Sequence, residues 1–284
     1  MKYKYHIIEA TKNLVDDNNF STPTEMNILR ISHNAGYFSN CTVALQEIVA
    51  YFNHYKGLPD DVERAEQFMH YKSYAGENLI PYYFNEQENK IEYKNALTMR
   101  LDCMAIQFDS YRNLPFSEIK PFTDKYFTPS EDVLKFVRQF EDKYRLDYPN
   151  LCAVFYRGND KQRETQTPSY QSFIDKAKEI KASNPNIRFL VQPDEREFLQ
   201  AFVQELPDSI YFEETPMLSK QDSAMFFELP KNERPEYGAK FNAAVICISK
   251  CKHIITHSGN CGLWSALYRG NAENVYQIFK GEWL

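Results

Sequence analysis

The segment Leu151–Lys161, with the sequence LCAVFYRGNDK, constrains this chain more than any other. Its first part, Leu151–Tyr156, is apolar and β-prone, which predicts a buried strand. The polar residues that follow at once are Arg157, Gly158, Asn159, Asp160 and Lys161. In open α/β sheets ligands bind at the carboxyl ends of strands, and arginine and lysine hold phosphate oxygens well. The segment therefore predicts an anion site, with an ordinary solvated turn as the alternative.

The second half of the chain shows the alternation of strands and helices that is typical of βαβ units. The predicted strands are four short apolar runs: Leu151–Tyr156, Ile187–Val191, Ser209–Phe212 and His253–Thr256. Helices are predicted over Glu195–Leu206, Ala239–Ser249 and Cys261–Tyr268, and a long loop over Met217–Tyr237. The expected architecture is a parallel sheet covered by helices.

If this sheet is parallel, three strand ends lie along one of its edges. The turns at this edge are Arg157–Lys161, Gln192-Pro193-Asp194 and His257-Ser258-Gly259-Asn260. They would supply cations, a carboxylate, and donors at a helix N-terminus, which together suit a nucleoside diphosphate. Arg157, Lys161 and the third turn would bind the phosphates, while Asp194 would accept from a base or a ribose hydroxyl. Each turn taken alone is also compatible with an ordinary α/β connection.

The first half opens with a second strand, turn and helix. Met26–Ser32 is predicted to be a buried strand, Gly36 lies in the turn, and apolar residues at helical spacing continue to about Tyr55. Ser39 or Asn40 would cap this helix, whose free N–H groups could meet an anion. A plain turn around one glycine is the alternative.

A break at Asp147-Tyr148-Pro149-Asn150 predicts the domain boundary. Residues 1–148 would form an N-terminal α/β domain, and residues 149–284 a C-terminal Rossmann-like domain. Shortly before this break, Thr128-Pro129-Ser130-Glu131 has the pattern of a helix start with Thr128 as the N-cap. The last helix is expected to pack back on the first half, and the aromatic end Asn274–Leu284 on another part of the chain.

The formal net charge of −6 provides no global positive field for nucleic acid or acidic lipid. No run approaches the roughly 20 apolar residues of a membrane span, and the N-terminal residues lack the apolar core of a signal peptide. A soluble, cytoplasmic protein is therefore expected. The six cysteines lack CxxC pairs and zinc-type histidine spacing, which predicts reduced thiols. Cys261, in a turn, is the one candidate nucleophile among them.

Three motifs of the second half resemble those of one fucosyltransferase family. This family includes the bacterial Nod-factor and eukaryotic core α1,6-fucosyltransferases and the protein O-fucosyltransferases. Its HxRRxDK motif corresponds to Phe155–Lys161, its Thr-Asp-Asp-like turn to Gln192–Asp194, and its third motif to Ile248–Asn260. The likeness covers Leu151–Gly270, and the turn at Asn34–Cys41 resembles the first glycine turn of these enzymes.

The chain departs from this family pattern at several positions. Phe155 stands where the family has histidine, Gly158 where it has a second arginine, and Pro193 where it has one aspartate. Arg157 is the motif arginine that remains. These departures leave the donor base and sugar open between GDP-fucose, as the default, and UDP-sugars.

The resemblance implies an α/β fold of the GT-B type, with two Rossmann-like domains facing each other across a cleft. Residues 1–148 would then lie on the acceptor side, and residues 149–284 would bind the nucleotide sugar. It also implies metal-independent, inverting transfer of a sugar from a nucleotide-diphosphate donor to a glycan hydroxyl. Arg157, with Lys161 and the backbone donors near Ser258, would stabilise the leaving diphosphate. No DxD pair is available to hold a metal, so no metal cofactor is expected. The base would be an acidic residue of the first half, which the sequence does not single out, or His33 near the opening turn, for which a structural role is the alternative.

Two other interpretations stay open. The chain could be a nucleotide-sugar or glycan-binding protein without catalysis, because its first motif has one arginine instead of two. It could also be a generic α/β protein whose polar turns are structural. The P-loop, GxGxxG and GxSxG patterns are absent from the sequence, which disfavours P-loop NTPases, dinucleotide enzymes and α/β-hydrolases.

Overall fold

The computed structural model describes residues 7–9, 26–97, 106–159, 168–219 and 224–284, whose strands form two sheets. The smaller sheet has the order β1-β2-β3, with strands Ile7–Glu9, Asn27–Arg30 and Asp61–Glu63. The larger sheet has the order β5-β4-β6-β7-β8. Its strands in chain order, β4 to β8, are Leu151–Tyr156, Arg188–Pro193, His253–His257, Val275–Phe279 and Glu282–Trp283.

Pairing in the larger sheet is parallel except at its last strand. β4 pairs in parallel with β5 on one side and with β6 on the other, and β6 pairs in parallel with β7. Only β8 runs antiparallel, against β7. In the smaller sheet β2 pairs in parallel with β3 and antiparallel with β1. The parallel sheet expected for the second half is confirmed.

Helices surround these sheets. In chain order the helices of the described residues are α1 (Tyr37–Tyr55), α2 (Ile80–Tyr83), α3 (Phe116–Tyr126), α4 (Glu131–Tyr144), α5 (Tyr170–Ser183), α6 (Arg196–Glu205), α7 (Met225–Glu228), α8 (Arg234–Lys250) and α9 (Asn260–Arg269). Short 3₁₀ turns lie at Met69–Tyr71, Tyr111–Asn113, Tyr148–Asn150 and Lys231–Glu233. None of the helices in the described part of the chain is long and apolar enough to cross a membrane.

Strand β4 is buried on both faces, and its alternating side chains enter two separate cores. Ala153 and Phe155 belong to the larger core, together with residues of α1 and α8. Val154 and Tyr156 belong to a smaller core on the other face, together with Phe173 of α5 and other residues of α5 and α6. A strand enclosed between helices on both faces explains why its sequence is apolar without alternation.

The larger core is continuous across the two halves of the chain. Ile48 of α1, Val245 of α8 and Trp264 of α9 all belong to it, and each is fully buried. Helix α9 also contacts α1 and α3, so the last helix does pack on the first half. The division at residue 148 stays a prediction.

Two predicted elements of the second half are wrong. Ser209–Phe212 is not a strand, because only Ile210 bridges to β5, through backbone hydrogen bonds with Phe189 and Val191. The chain turns away again at residues 213–214, so this edge contact is too short to form a strand. The predicted loop at Met217–Tyr237 contains α7 and the first turn of α8, whose Pro235 suits a helix start because an N–H is not needed there.

The predicted caps of two helices are also wrong. Ser130, not Thr128, caps α4: its hydroxyl accepts from the N–H of Val133 at 3.3 Å. The helix begins later than expected because Pro129 forms an extended bridge with Phe84. The N-cap of α1 is Gly36, so Ser39 and Asn40 lie inside the first turn of that helix.

The thiols agree with the prediction of reduced cysteines. Cys41, Cys152, Cys247 and Cys251 are buried and free, and burial raises the pKa of each of these thiols. A high pKa keeps a thiol protonated and unreactive. Cys103 lies outside the described residues.

Candidate active site

The site begins where β4, β5 and β6 end side by side. Register pairs Phe155 of β4 with Gln192 of β5 and with Thr256 of β6, so the turns that follow the three strands meet at one edge. The prediction that these three turns share an edge is confirmed. It places both Asp194 and His257 within hydrogen-bonding reach of Arg157.

Arg157 is held by Asp194 at the end of the next strand. Its Nε donates to Oδ2 of Asp194 at 2.8 Å, and the other carboxylate oxygen, Oδ1, accepts from the backbone N–H of Gly158 at 2.8 Å. The two side chains of the ion pair are 19% and 16% exposed, so water screens the pair only in part. Both oxygens of Asp194 bind the turn after β4, and its contact with a base or a ribose hydroxyl stays a prediction. Its role in this geometry is to orient the guanidinium of Arg157.

Two more contacts fix the far end of the Arg157 side chain. Nη1 donates to Sγ of Cys261 at 3.4 Å, and the guanidinium carbon lies 5.9 Å from the ring centroid of Phe241. A flat guanidinium is stabilised over an aromatic face. The cation is therefore presented in a set orientation at the strand ends.

His257 supports the same turn from β6. The backbone N–H of Arg157 donates to Nε2 of His257 at 3.0 Å, and Nδ1 of the ring lies 3.0 Å from the carbonyl oxygen of Ser258. Because an N–H can only donate, Nε2 must be the acceptor, and the ring proton lies on Nδ1. This assignment makes the ring neutral and leaves it as a support of the backbone.

Asn159 and Gly158 also contribute to the structure of this turn, Asn159 through a hydrogen bond and Gly158 through close packing. Nδ2 of Asn159 donates to the carbonyl oxygen of Asp194 at 2.8 Å, and this side chain is buried. At Gly158 a Cβ atom would lie 2.7 Å from Cε1 of Tyr156 and closer still to the carboxylate of Glu195. A side chain therefore does not fit at the position of the second family arginine. Asp160 and Lys161 lie outside the described residues.

Glu195 was missed by the sequence reasoning. It is fully buried, and its Oε2 accepts from the hydroxyl of Tyr170 at 2.5 Å. Its position directly after Asp194 was visible, but nothing in the sequence showed that its side chain would turn toward Gly158.

Gly259 shares only a small cavity of about 10 Å³ with Arg157, and Ser258 does not line that cavity. Both the N–H and the hydroxyl of Ser258 donate to the carbonyl oxygen of Ile278. The N–H of Gly259 donates to the hydroxyl of Tyr111 at 3.0 Å, and that hydroxyl donates back to the Gly259 carbonyl at 2.8 Å. The donors expected to reach a phosphate at this turn are hydrogen-bonded within the protein.

Asn260 lines the cavity, but its side chain joins the two halves of the chain. Its Oδ1 lies 2.7 Å from the hydroxyl of Thr42, and the same hydroxyl accepts from Nε1 of Trp264 at 2.9 Å. All three side chains are buried. This cluster attaches α9 to α1 beside the candidate site.

A cavity of about 270 Å³ lies between the turn of the first half and the strand ends of the second. Its lining includes His33, Gly36 and Ser39 from the first half. From the second half it includes Phe155, Arg157, Asn159, Gln192, Asp194 and Asn260, with Phe226 and Phe241 as aromatic walls. Predicted site residues from both halves therefore share one cavity.

Two predicted site residues of the first half, Gly36 and His33, line this cavity. Gly36 has an ordinary φ of −60°, and a Cβ added there would meet nothing within 4 Å, so neither backbone conformation nor packing requires a glycine. Nε2 of His33 lies 3.2 Å from the hydroxyl of Ser39, and burial lowers the pKa of this histidine. A lowered pKa keeps the imidazole neutral near pH 7, as a proton acceptor needs.

Within the described ranges, no group of three or more His, Cys, Asp or Glu side chains is arranged to hold a metal ion. The charged groups of the described cavity lining are the Arg157–Asp194 pair. The arrangement can thus place one oriented cation next to an anion and one neutral imidazole across the cavity.

The fold matches solved fucosyltransferases. No known protein family and no curated protein matches the sequence. The structure of the fucosyltransferase NodZ from Bradyrhizobium aligns with a TM-score of 0.53 over 90% of this chain and 96% of that one, at 11% identity. A structure of NodZ α-1,6-fucosyltransferase soaked with GDP-fucose aligns with a TM-score of 0.50 over 85% and 91%, at 9% identity. The chain therefore has a fucosyltransferase-like α/β fold of the GT-B kind, as the sequence resemblance implied, while the arrangement of two domains facing each other across a cleft stays a prediction.

Proposed function

We propose that this protein is a metal-independent, inverting glycosyltransferase that moves a sugar from a nucleotide-diphosphate donor to a glycan hydroxyl. GDP-fucose is the default donor. The observation that carries the proposal is the orientation of Arg157 by Asp194 at the strand ends of a fucosyltransferase-like fold. In α/β sheets these strand ends are where ligands bind.

Arg157 has the chemistry that the leaving group needs. When the bond between the anomeric carbon and the diphosphate oxygen breaks, its electron pair stays on the diphosphate and adds negative charge. A fixed cation next to that oxygen stabilises the charge without reorganising, and one such donor is commonly worth about 3 kcal/mol. Asp194 and Phe241 hold the guanidinium in place before the substrate arrives.

His33 is the proposed base. The acceptor hydroxyl would attack the anomeric carbon from the face opposite the diphosphate, which inverts the configuration, and would give its proton to His33. Two observations support this role: His33 lines the same cavity as Arg157, and burial lowers its pKa so that the ring is neutral. Asp160 and Lys161 keep their predicted roles as donor-binding residues.

A binding protein without catalysis is the second candidate. It is favoured by the replacement of the second family arginine by Gly158, where Tyr156 and Glu195 leave no space for a side chain. Such a protein would bind a nucleotide sugar tightly and transfer nothing. A UDP-sugar-dependent transferase is the other alternative, because the family positions that differ leave the base open.

The test is a thermal-shift panel of GDP, UDP, ADP and their sugars, with and without EDTA, followed by a transfer assay on the stabilising donor. A ligand at 100 times its dissociation constant stabilises the folded state by about 2.7 kcal/mol, which gives a clear shift. The proposal expects a GDP or UDP shift that EDTA leaves unchanged. Absence of any nucleotide shift would reject it, and binding without transfer or donor hydrolysis would favour the second candidate.

A further inference from the structure

The cavity lining includes a buried amide oxygen, that of Gln192, for which the described residues supply no hydrogen-bond donor. Gln192 is the fifth residue of β5, lies beside Phe155 in the register of the sheet, and lines the same cavity as Arg157. The side chain is only 4% exposed. Its Oε1 is buried and has no hydrogen-bond partner among the residues that the structure describes.

The Thr215 hydroxyl determines the orientation of the Gln192 amide, that is, which of Nε2 and Oε1 points toward this hydroxyl and which points away from it. The Thr215 hydroxyl donates its single proton to the carbonyl oxygen of Phe212 at 2.9 Å. It must therefore act as the acceptor toward Gln192, whose side chain lies 2.8 Å away, and only the amide nitrogen Nε2 can donate to it. The hydrogen-bond network thus assigns Oε1, the acceptor, to the position without a partner.

Buried acceptors in proteins nearly always have a donor, because burial removes the water that would otherwise supply one. In a cavity that could hold a ligand, such an atom indicates a donor on that ligand. Gln192 thus turns an acceptor toward this ligand, while one N–H of its amide is used by Thr215.

The surroundings of Gln192 favour a flat, largely apolar group. The neighbouring lining residues Phe155, Pro193, Pro216 and Leu218 carry no polar side-chain atoms. A hexose would bring several hydroxyls to a wall that offers a single acceptor, whereas a nucleobase has apolar faces and an N–H on its edge. Gln192 also lies one residue inside the end of β5, while Arg157 lies just beyond the end of β4.

We infer that Oε1 of Gln192 accepts a hydrogen bond from a ring N–H of the donor nucleobase and thereby helps to select the base. The inference rests on the proposed function, because it requires that a nucleoside diphosphate occupies the cavity. It assigns the phosphates to Arg157 and the base to the wall formed by Gln192, Pro193 and Pro216.

The test compares ligands with and without a base. Dissociation constants for GDP, UDP and inorganic pyrophosphate are measured by calorimetry on the full chain and on Gln192→Met, which keeps the length of the side chain and removes its polar atoms. Loss of one hydrogen bond to a buried group corresponds to about a 5- to 100-fold weaker affinity. We expect this loss for the nucleotide that binds best and no change for pyrophosphate.

A second measurement needs no variant. The affinity of the wild-type chain should fall by the same factor when the ring N–H of the base is methylated. The probes are 1-methylguanosine diphosphate and 3-methyluridine diphosphate. The losses of affinity caused by methylation and by Gln192→Met should not be additive, because each change removes the same hydrogen bond.

Three results would overturn the inference. Equal nucleotide affinity of the wild type and of Gln192→Met would show that Gln192 does not hydrogen-bond to the nucleotide. A loss for the nucleotide sugar but not for the free nucleotide would assign Gln192 to the sugar. Tight binding of the N-methylated base by the wild type would exclude the ring N–H. If the wild type binds no nucleotide at all, the proposed function itself fails, a result that is distinct from these three.

Discussion

The carboxylate of Glu195 lies against Gly158, in the space that a side chain at position 158 would need. The turn after β4 is closed on this side, because the ring of Tyr156 would also be only 2.7 Å from such a side chain. Within the described residues of this turn, Arg157–Asn159, the arginine is therefore Arg157, and position 158 has no space for a second one. Glu195 itself is buried, so the contact belongs to the interior of the turn rather than to its surface.

Gly158→Ala should destabilise the protein. The added methyl group must displace either the ring of Tyr156 or the carboxylate of Glu195, and overpacking of this kind costs about 1–3 kcal/mol. Urea unfolding measures the difference. Gly36→Ala is the matched control: Gly36 lines the same cavity, has room for a Cβ, and should keep its stability within about 0.5 kcal/mol. Equal stability of both variants would contradict the described packing.

The Thr42 hydroxyl should matter for stability because it joins the two halves of the chain. Thr42→Val leaves Nε1 of Trp264 without its acceptor and Asn260 without its partner, both in buried positions. An unpaired buried group costs about 1–3 kcal/mol, so a loss of at least about 1 kcal/mol is expected in urea unfolding. In the control Thr128→Val the lost hydroxyl binds only the carbonyl oxygen of Asp124 at an exposed position. Similar effects of the two changes would argue against the buried cluster.

His253 should make the fold weaker at acid pH. Burial, followed by the charges of Lys252 and Arg269, lowers the pKa of His253 in the folded state below its usual 6.5. The unfolded chain then binds more protons in this range, so stability falls as the pH drops through 6.5. Compared at pH 7.5 and 5.5, His253→Gln should lose less stability on acidification than the wild type does. The same loss of stability in both proteins would exclude His253 as a cause of the acid sensitivity.

The pH profile of transfer should identify His33. If it is the base, it must be neutral, and its lowered pKa places the acid limb of kcat/KM below pH 6.5. His33→Gln should reduce kcat/KM by about 100- to 10,000-fold and remove that limb. His54→Gln is the control, because His54 is an exposed residue near the end of α1. An acid limb that persists unchanged in His33→Gln would assign the base to another residue.

The sequence was a good guide where apolar runs and strand ends decide the structure. The buried strand Leu151–Tyr156 was predicted to the residue, and the edge shared by Arg157, Asp194 and His257 followed from the parallel topology. Both predictions depend on hydrophobic periodicity and on the order of strands and helices, which can be identified in the sequence itself.

Contacts between distant residues were not predictable in the same way. Tyr111 reaches the turn at Gly259 from 148 positions away and binds its backbone groups. The bonds of Asp194 to the neighbouring turn and the orientation of the Gln192 amide depend equally on tertiary packing. No local pattern encodes such contacts, so the role of each strand-end residue could be read only from the structure.

The proposed role of Arg157, stabilisation of the leaving diphosphate, can be tested by single-turnover transfer from the preferred nucleotide sugar by the wild type and by Arg157→Lys. Lysine keeps the charge but loses the bond from Nε to Asp194 and the forked geometry. The rate should fall by about 100-fold or more, in line with the loss of one oriented donor of about 3 kcal/mol. Arg138→Lys, at an exposed position, should transfer like the wild type. A wild-type rate in Arg157→Lys would contradict the account.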